Sequence, residues 1–174
     1  KLLLDLASVF QRALRSGEFV PLVEELHYVD AYLSLEKARL GQNLDVVRES
    51  LPARLQEKLV PMLVLQPLVE NAVLHGVSKK HGGGQVRIDI HEEGAHVVLS
   101  VQDDGIGFDP SELALDASPD TGHSIGLRNV HQRLRTLYGE TSGLVIESQP
   151  GVGTLVRFCL PIESIVESTY TDSR

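Results

Sequence analysis

Two short runs rich in β-branched residues, Val86-Arg-Ile-Asp-Ile90 and Val97-Val-Leu-Ser-Val101, are joined through a Glu93-Gly94 turn. Such a pair reads as an antiparallel hairpin, so the rest of the chain has to supply sheet partners and a cover for its apolar face. Partners are legible on both sides. Leu44 to Glu49 alternates like a strand, and Leu144 to Ser148 and Thr154 to Leu160 flank a Gly151-Val-Gly153 turn. The cover comes from helical spacing. A strongly apolar helix is expected from Pro61 through Val77 and another from Ile125 to Tyr138, stopped by Gly139. Pro52 to Lys58 reads as a turn or short helix, and a Gly82-Gly83-Gly84 loop leads into the hairpin. The expected architecture is α+β, a two-layer sandwich of a mixed sheet with helices on one face.

Ahead of this unit, Leu2, Leu3, Leu6, Val9, Phe10, Ala13 and Leu14 follow helical spacing until Ser16-Gly17. Pro21 suits the first turn of a second helix, striped by Leu22, Leu26, Val29, Leu33 and Leu40 and ending at Gly41. Two such helices predict a helical hairpin serving as a packing or dimerisation surface. The domain expectation is therefore 1–42 helical, 43–162 sandwich and 163–174 a polar tail. Because the chain opens at Lys1 inside a helix pattern, it is expected to continue upstream.

Composition narrows the function classes. Of 174 residues 42% are hydrophobic and 23% charged, so the chain folds rather than staying disordered. A net charge of −8 argues against nucleic acid as the partner, since a phosphate backbone calls for a basic face. No apolar stretch approaches the roughly 18 residues of a membrane span. The single cysteine, Cys159, lies in an alternating apolar run and is expected to be buried.

Three segments place polar or small residues where a core would want bulk. Gln66-Pro-Leu-Val-Glu-Asn-Ala-Val-Leu-His-Gly76 sets Glu70, Asn71 and His75 in an apolar helix. The Asn71 carbonyl oxygen suits magnesium, a hard cation usually shared with phosphates; Asn71 and His75 could equally serve nearby backbone. Val101-Gln-Asp-Asp-Gly-Ile-Gly-Phe-Asp109 ends a strand with two glycines and a carboxylate. Asp103 can accept the exocyclic amine of adenine, although a plain turn or an acidic calcium-type loop also reads this way. Thr121-Gly-His-Ser-Ile-Gly-Leu127 runs straight into a helix, whose N-terminal amides attract phosphate, or else it is only a hinge. The residues from 110 to 124 look like a mobile lid.

In this order and spacing, with Gly151-Val-Gly-Thr154, the segments resemble the nucleotide-binding signatures of the family joining gyrase-type ATPases, Hsp90, histidine kinases and MutL proteins. Val20-Pro-Leu-Val-Glu-Glu-Leu26, Tyr32-Leu-Ser-Leu-Glu-Lys-Ala-Arg39, Leu65-Gln-Pro-Leu-Val-Glu-Asn-Ala72 and Gly126-Leu-Arg-Asn-Val-His-Gln-Arg-Leu134 are similar to LytS-type sensor histidine kinases. The resemblance implies ATP and Mg²⁺ as cofactors, with Asn71 holding the metal and Asp103 reading adenine in a pocket shaped by Gly105 and Gly107. It implies that Gly122, Ser124, Gly126 and Leu127 wrap the phosphates, that Thr154 stands beside the adenine site and that His75 and Gly76 close the first segment. Asn129 and Arg133 follow on the next helix.

The departures are informative. Where gyrase-type hydrolases carry a general-base glutamate four residues before the Asn, this chain has Pro67, which disfavours simple hydrolysis. Leu74 replaces a basic residue common in relatives, and Ser124 a common lid glycine. The implied reaction is γ-phosphoryl transfer to a histidine on an upstream helix, then to the aspartate of a response regulator. His27, on the second helix and followed by Asp30, is the tempting acceptor, but the resemblance implies an acceptor upstream of it, and His81, His91, His96, His123 and His131 do not resemble the acceptor motif. The resemblance further implies a homodimer in the full-length protein, in the cytoplasmic part of an inner-membrane sensor. The alternative is a degenerate nucleotide-binding module that regulates a partner without transfer. A serine kinase on the same fold is disfavoured by the two N-terminal helices.

Overall fold

In the computed structural model, residues 19–112, 115 and 125–163 are described. The first element is β1 (Phe19–Pro21), which leads directly into helix α1 (Leu22–Leu40). Glu24 and Glu25 in the first turn of α1 and Lys37 and Arg39 in its last complement the helix dipole. The helix stops at Gly41, which takes a φ of 60° and donates its N–H to the Lys37 carbonyl. Leu22, Leu26, Val29 and Leu33 form its buried face, each contributing about 1.5–3 kcal/mol by leaving water.

The main sheet follows, with β2 (Leu44–Arg48), then β3 (Leu59–Pro61) lying apart from it, antiparallel to β1 in the register Val20 to Val60. Helix α2 (Gln66–Glu70) runs on into a wide π turn over Asn71–Gly76. The sheet resumes with β4 (Gly84–Glu93) and β5 (His96–Asp103), passes through helix α3 (Ile125–Tyr138), and closes with β6 (Val145–Gln149) and β7 (Gly153–Pro161). The strand order is β2-β4-β5-β7-β6. Only β2 with β4 is parallel, the pairing that needs a crossover, and α2 lies within that crossover.

Alternation then decides the layers. Val86, Ile88, Leu99, Val101, Val156, Phe158 and Leu160 share one core with residues of α1, α2 and α3. Arg87, Gln102, Glu147 and Cys159 stand exposed between them. The fold is the expected α+β sandwich of a mixed sheet with helices on one face, and a helix precedes it. The first of the two expected N-terminal helices lies outside the described residues.

Two sequence expectations are corrected. Pro61 does not open a helix: it ends β3, and the chain makes a turn with Leu63 at a φ of 57° before α2 begins at Gln66, with Pro67 in its first turn. Proline at a helix start and at a strand end obey the same rule, a missing N–H that nothing there requires, so spacing alone selected the wrong one. Cys159 is exposed rather than buried, because its neighbours Phe158 and Leu160 take the core positions and strand geometry turns the residue between them outward.

Candidate functional site

Asp103 is the last residue of β5 and shares the inward face with Leu99 and Val101, so its carboxyl is carried into the helix-side layer, where 4% of the residue is exposed. Its Oδ1 accepts the Gly105 N–H at 2.8 Å. Burial pushes its pKa up to about 6, while hydrogen bonds from the Gly105 and Thr154 backbone pull the other way. Two glycines make room for this carboxyl. A Cβ at Gly76 would overlap Asp103 Oδ1 and lie 2.7 Å from its Cγ, and a Cβ at Gly105 would overlap the Gly76 backbone. The end of the π turn and the loop after β5 therefore meet directly on the carboxylate.

The loop beyond Asp103 is held from both sides. Asp104 accepts the Gln85 N–H at 2.7 Å, and Lys80 donates to the Asp104 carbonyl oxygen at 2.6 Å. The Ile106 carbonyl accepts the Gly151 N–H at 2.6 Å. Gly107 takes a φ of 59°, and any Cβ there would run into the Gln149 carbonyl oxygen, which fits glycine's freedom in the left-handed region. Thr154 pairs with Asp103 across β5 and β7 and is equally buried. Its Oγ1 lies 2.9 Å from Ser148 Oγ, which also accepts the Phe108 N–H at 3.0 Å.

A cavity opens beside the π turn. Pro67, Glu70, Asn71, Leu74, His75, Gly126 and Leu127 line a cavity of about 100 Å³ between α2, its π turn and the start of α3. Asn71 and His75 are four residues apart and both half-buried. Gly126 has room for a Cβ, since the nearest atom would be Pro67 Cβ at an ordinary 3.4 Å; nothing in the described packing calls for glycine there. The Leu127 side chain belongs to the core, 2% exposed. Asn71, His75, Gly126 and Leu127 are thus brought to one cavity, Gly76 and Gly105 are packed against the Asp103 carboxyl, Thr154 pairs with Asp103 across the strands, and Gly107 lies further along the same loop. Gly122 and Ser124 lie outside the described residues, as does most of the 110–124 segment expected to be a lid.

Sequence reasoning missed four contributors, Ser148, Asp104, Lys80 and Glu25. Ser148 links β6 to the loop after Asp103, and Asp104 with Lys80 pins that loop. Arg133, already singled out on the helix after the third segment, donates to the Met62 carbonyl oxygen at 2.6 Å. Glu25 is fully buried and accepts the N–H groups of Leu63 and Leu65, each at 2.8 Å. A signal for Glu25 was present: it lies three residues after Leu22 and four before Val29, on the apolar stripe of its own helix, where an acid needs partners.

Comparison with known proteins identifies the family. Residues 57–164 match the family described as histidine kinase-, DNA gyrase B-, and HSP90-like ATPase, and residues 1–44 match the histidine kinase family. The sensor histidine kinase YpdA of Escherichia coli K12 is 37% identical over 153 residues, which cover 85% of this chain and 26% of that protein. The sensor protein LytS of Bacillus subtilis is 35% identical over 173 residues, 96% of this chain and 29% of that protein. The chain therefore spans little more than a quarter of the length of either. Among solved structures, the Acinetobacter baumannii histidine kinase AdeS superposes with a TM-score of 0.60 at 16% identity, over 94% of this chain and 76% of that one. With its sheet order, its buried strand-end aspartate and a family match over residues 57–164, the chain belongs to the histidine kinase-, DNA gyrase B-, and HSP90-like ATPases.

Proposed function

We propose that this chain is the ATP-binding, phosphoryl-donating part of a sensor histidine kinase in two-component signalling. The observation that carries the reading is the Asp103 carboxyl, buried at the meeting of Gly76 and Gly105 and adjoining the cavity that holds Asn71. A buried carboxylate with one oxygen engaged by a backbone N–H keeps acceptor capacity for the exocyclic amine of adenine. Thr154 stands across the strand pair from it. Asn71, His75 and Gly126 then lie where the polyphosphate leaves the base.

Asn71 offers a neutral oxygen donor suited to magnesium. Among the described residues no group of three His, Cys, Asp or Glu could hold a metal unaided, so the fit is to an ion whose remaining ligands are phosphate oxygens and water. Bound magnesium would neutralise charge on the transferring phosphoryl group. The residues of this chain orient the nucleotide and exclude water from it. In the transfer the β–γ bridging P–O bond breaks, an imidazole nitrogen forms the new N–P bond and ADP leaves. Pro67 lines the cavity at the position of the hydrolytic glutamate in gyrase-type relatives, which favours a protein acceptor over water. The acceptor is a histidine upstream of this part, and the phosphoryl group moves on to the aspartate of a response regulator. The whole protein works as a homodimer, with this part on the cytoplasmic side of the membrane; no helix among the described residues is long and apolar enough to cross one.

Incubating the full-length protein with γ-labelled ATP should yield an acid-labile, base-stable phosphohistidine that passes to a response regulator. Tight Mg-ATP binding with no labelled histidine would instead support a second reading, a nucleotide-responsive module without transfer. What favours that second reading is Leu74, 40% exposed and lining the cavity where relatives carry a basic residue.

A further inference from the structure

We propose that Glu25 is a positioning residue for the nucleotide site, fixing through the Leu63–Leu65 turn where α2 places Asn71 and where α3 presents Gly126. The inference rests on the nucleotide-site reading above and extends it to a residue that touches no ligand.

The turn between β3 and α2 is held from two sides, by a carboxyl from α1 and a guanidinium from α3. From α1, both Glu25 oxygens accept backbone N–H groups, Leu63 at Oε2 and Leu65 at Oε1, both at 2.8 Å. From α3, the Arg133 guanidinium donates to the carbonyl oxygen of Met62 at 2.6 Å. Neither side chain binds the other, so the backbone of the turn is the link between them. Leu63 sits within this grip at a φ of 57°, a conformation that costs a non-glycine residue energy and persists only where surroundings impose it. The next step is rigid. The Leu65 carbonyl accepts the N–H groups of Leu68 and Val69, which starts α2, and Leu65 and Leu68 are fully buried. One turn later the same helix delivers Asn71.

A simple packing role would not require a carboxylate. Glu25 is 0% exposed, and burial raises its pKa even against the backbone hydrogen bonds that lower it. A leucine would fill the space without that desolvation cost but would leave the buried Leu65 N–H and the half-buried Leu63 N–H unpaired. The carboxylate also joins the stretch matching the histidine kinase family, residues 1–44, to the stretch matching the ATPase family, residues 57–164. A shift of α1 is therefore passed to the turn, and from the turn to both walls of the cavity that Pro67 and Gly126 share.

The test compares Glu25→Gln with Val29→Ala, a core change one turn further along α1, in the whole chain. Readouts are the affinity for Mg-ATP, the affinity for ATP in EDTA, and hydrogen exchange without nucleotide. Glu25→Gln should weaken Mg-ATP binding at least fivefold, with a smaller loss in EDTA, and speed exchange over residues 63–71 and 126–133. Val29→Ala, studied at a temperature of matched stability, should keep affinity within twofold and loosen α1 alone. Equal affinities and exchange patterns for the two variants would overturn the proposal. If the unaltered chain binds no Mg-ATP, the nucleotide reading fails by itself, and unchanged exchange over 63–71 in Glu25→Gln overturns the positioning role separately. Should Glu25→Gln not fold, Arg133→Lys tests the same turn from α3, and unchanged exchange over residues 62–71 there refutes it.

Discussion

Asp103 concentrates the chemistry of the site in one side chain, and its burial makes two behaviours measurable. Its carboxyl titrates near 6 in the fold against 3.8 ordinarily, so between those values the folded chain holds more proton than the unfolded one. Stability from this group is present at low pH and is lost as pH rises through about 6. Acidifying the nucleotide-free protein from pH 7 to pH 5 should therefore raise the unfolding midpoint of the unaltered chain relative to Asp103→Asn; parallel pH profiles for the two would contradict the burial. The same variant should weaken Mg-ATP binding by about tenfold or more by titration calorimetry, because an amide turned toward adenine presents a donor where an acceptor is needed. Gly105 is constrained by contact rather than by conformation. Gly105→Ala must push its Cβ into the Gly76 backbone, and we expect a loss of about 1–3 kcal/mol in urea unfolding.

At the scale of elements, the site lies where strand ends meet helix ends. Alternation along β5 and β7 puts Asp103 and Thr154 on the face that also carries Val101 and Val156. Each strand is thus core for most of its length and site at one tip. The π turn performs the corresponding task for α2: residues 66–70 bury Leu68 and Val69, while Asn71–Gly76 brings Asn71 and His75 to the cavity and Gly76 to Asp103. Wide turns of this sort commonly mark functional segments. Helix α3 is anchored by Leu127, Val130 and Leu134. Leu134→Ala should cost about 2–5 kcal/mol in thermal or urea unfolding and should not change Mg-ATP affinity in the protein that remains folded, since Leu134 is two turns from Gly126. A large affinity loss would mean that α3 reads nucleotide along its whole length.

For the molecule as a whole, the decisive fact is that α1 shares one core with the sheet: Leu22, Leu26, Val29 and Leu33 pack in the cluster that contains Leu99, Val156 and Phe158. A fragment of residues 43–162 would expose those contacts and free the Leu63 and Leu65 amides. We expect it to show no cooperative thermal transition, whereas a fragment of residues 19–163 should melt cooperatively; a cooperative melt of the shorter one would make α1 a separable unit. Much of the molecule is legible in its sequence. The α+β class, the hairpin and α3 follow from local periodicity, while polar or small residues placed against it single out Asn71, Asp103, Gly105 and Gly107 as candidates whose roles the family resemblance implies. Such signals are carried by neighbours in the chain. The start of α2, the outward turn of Cys159 and the role of Glu25 are not legible in the same way. Pro61 and Pro67 obey one local rule and differ only in what they pair with: Phe19 across β1 and β3 for one, no strand for the other. Glu25 stands on the apolar stripe of its helix, which signals that it needs partners, but which partners these are is decided only when Leu63 and Leu65, some forty residues on, bring it their amides. By itself the sequence determined most of the elements and singled out candidate residues for a nucleotide site. Only the tertiary structure decided how the elements engage, because a buried polar group is satisfied by whatever the fold brings to it, at any separation along the chain.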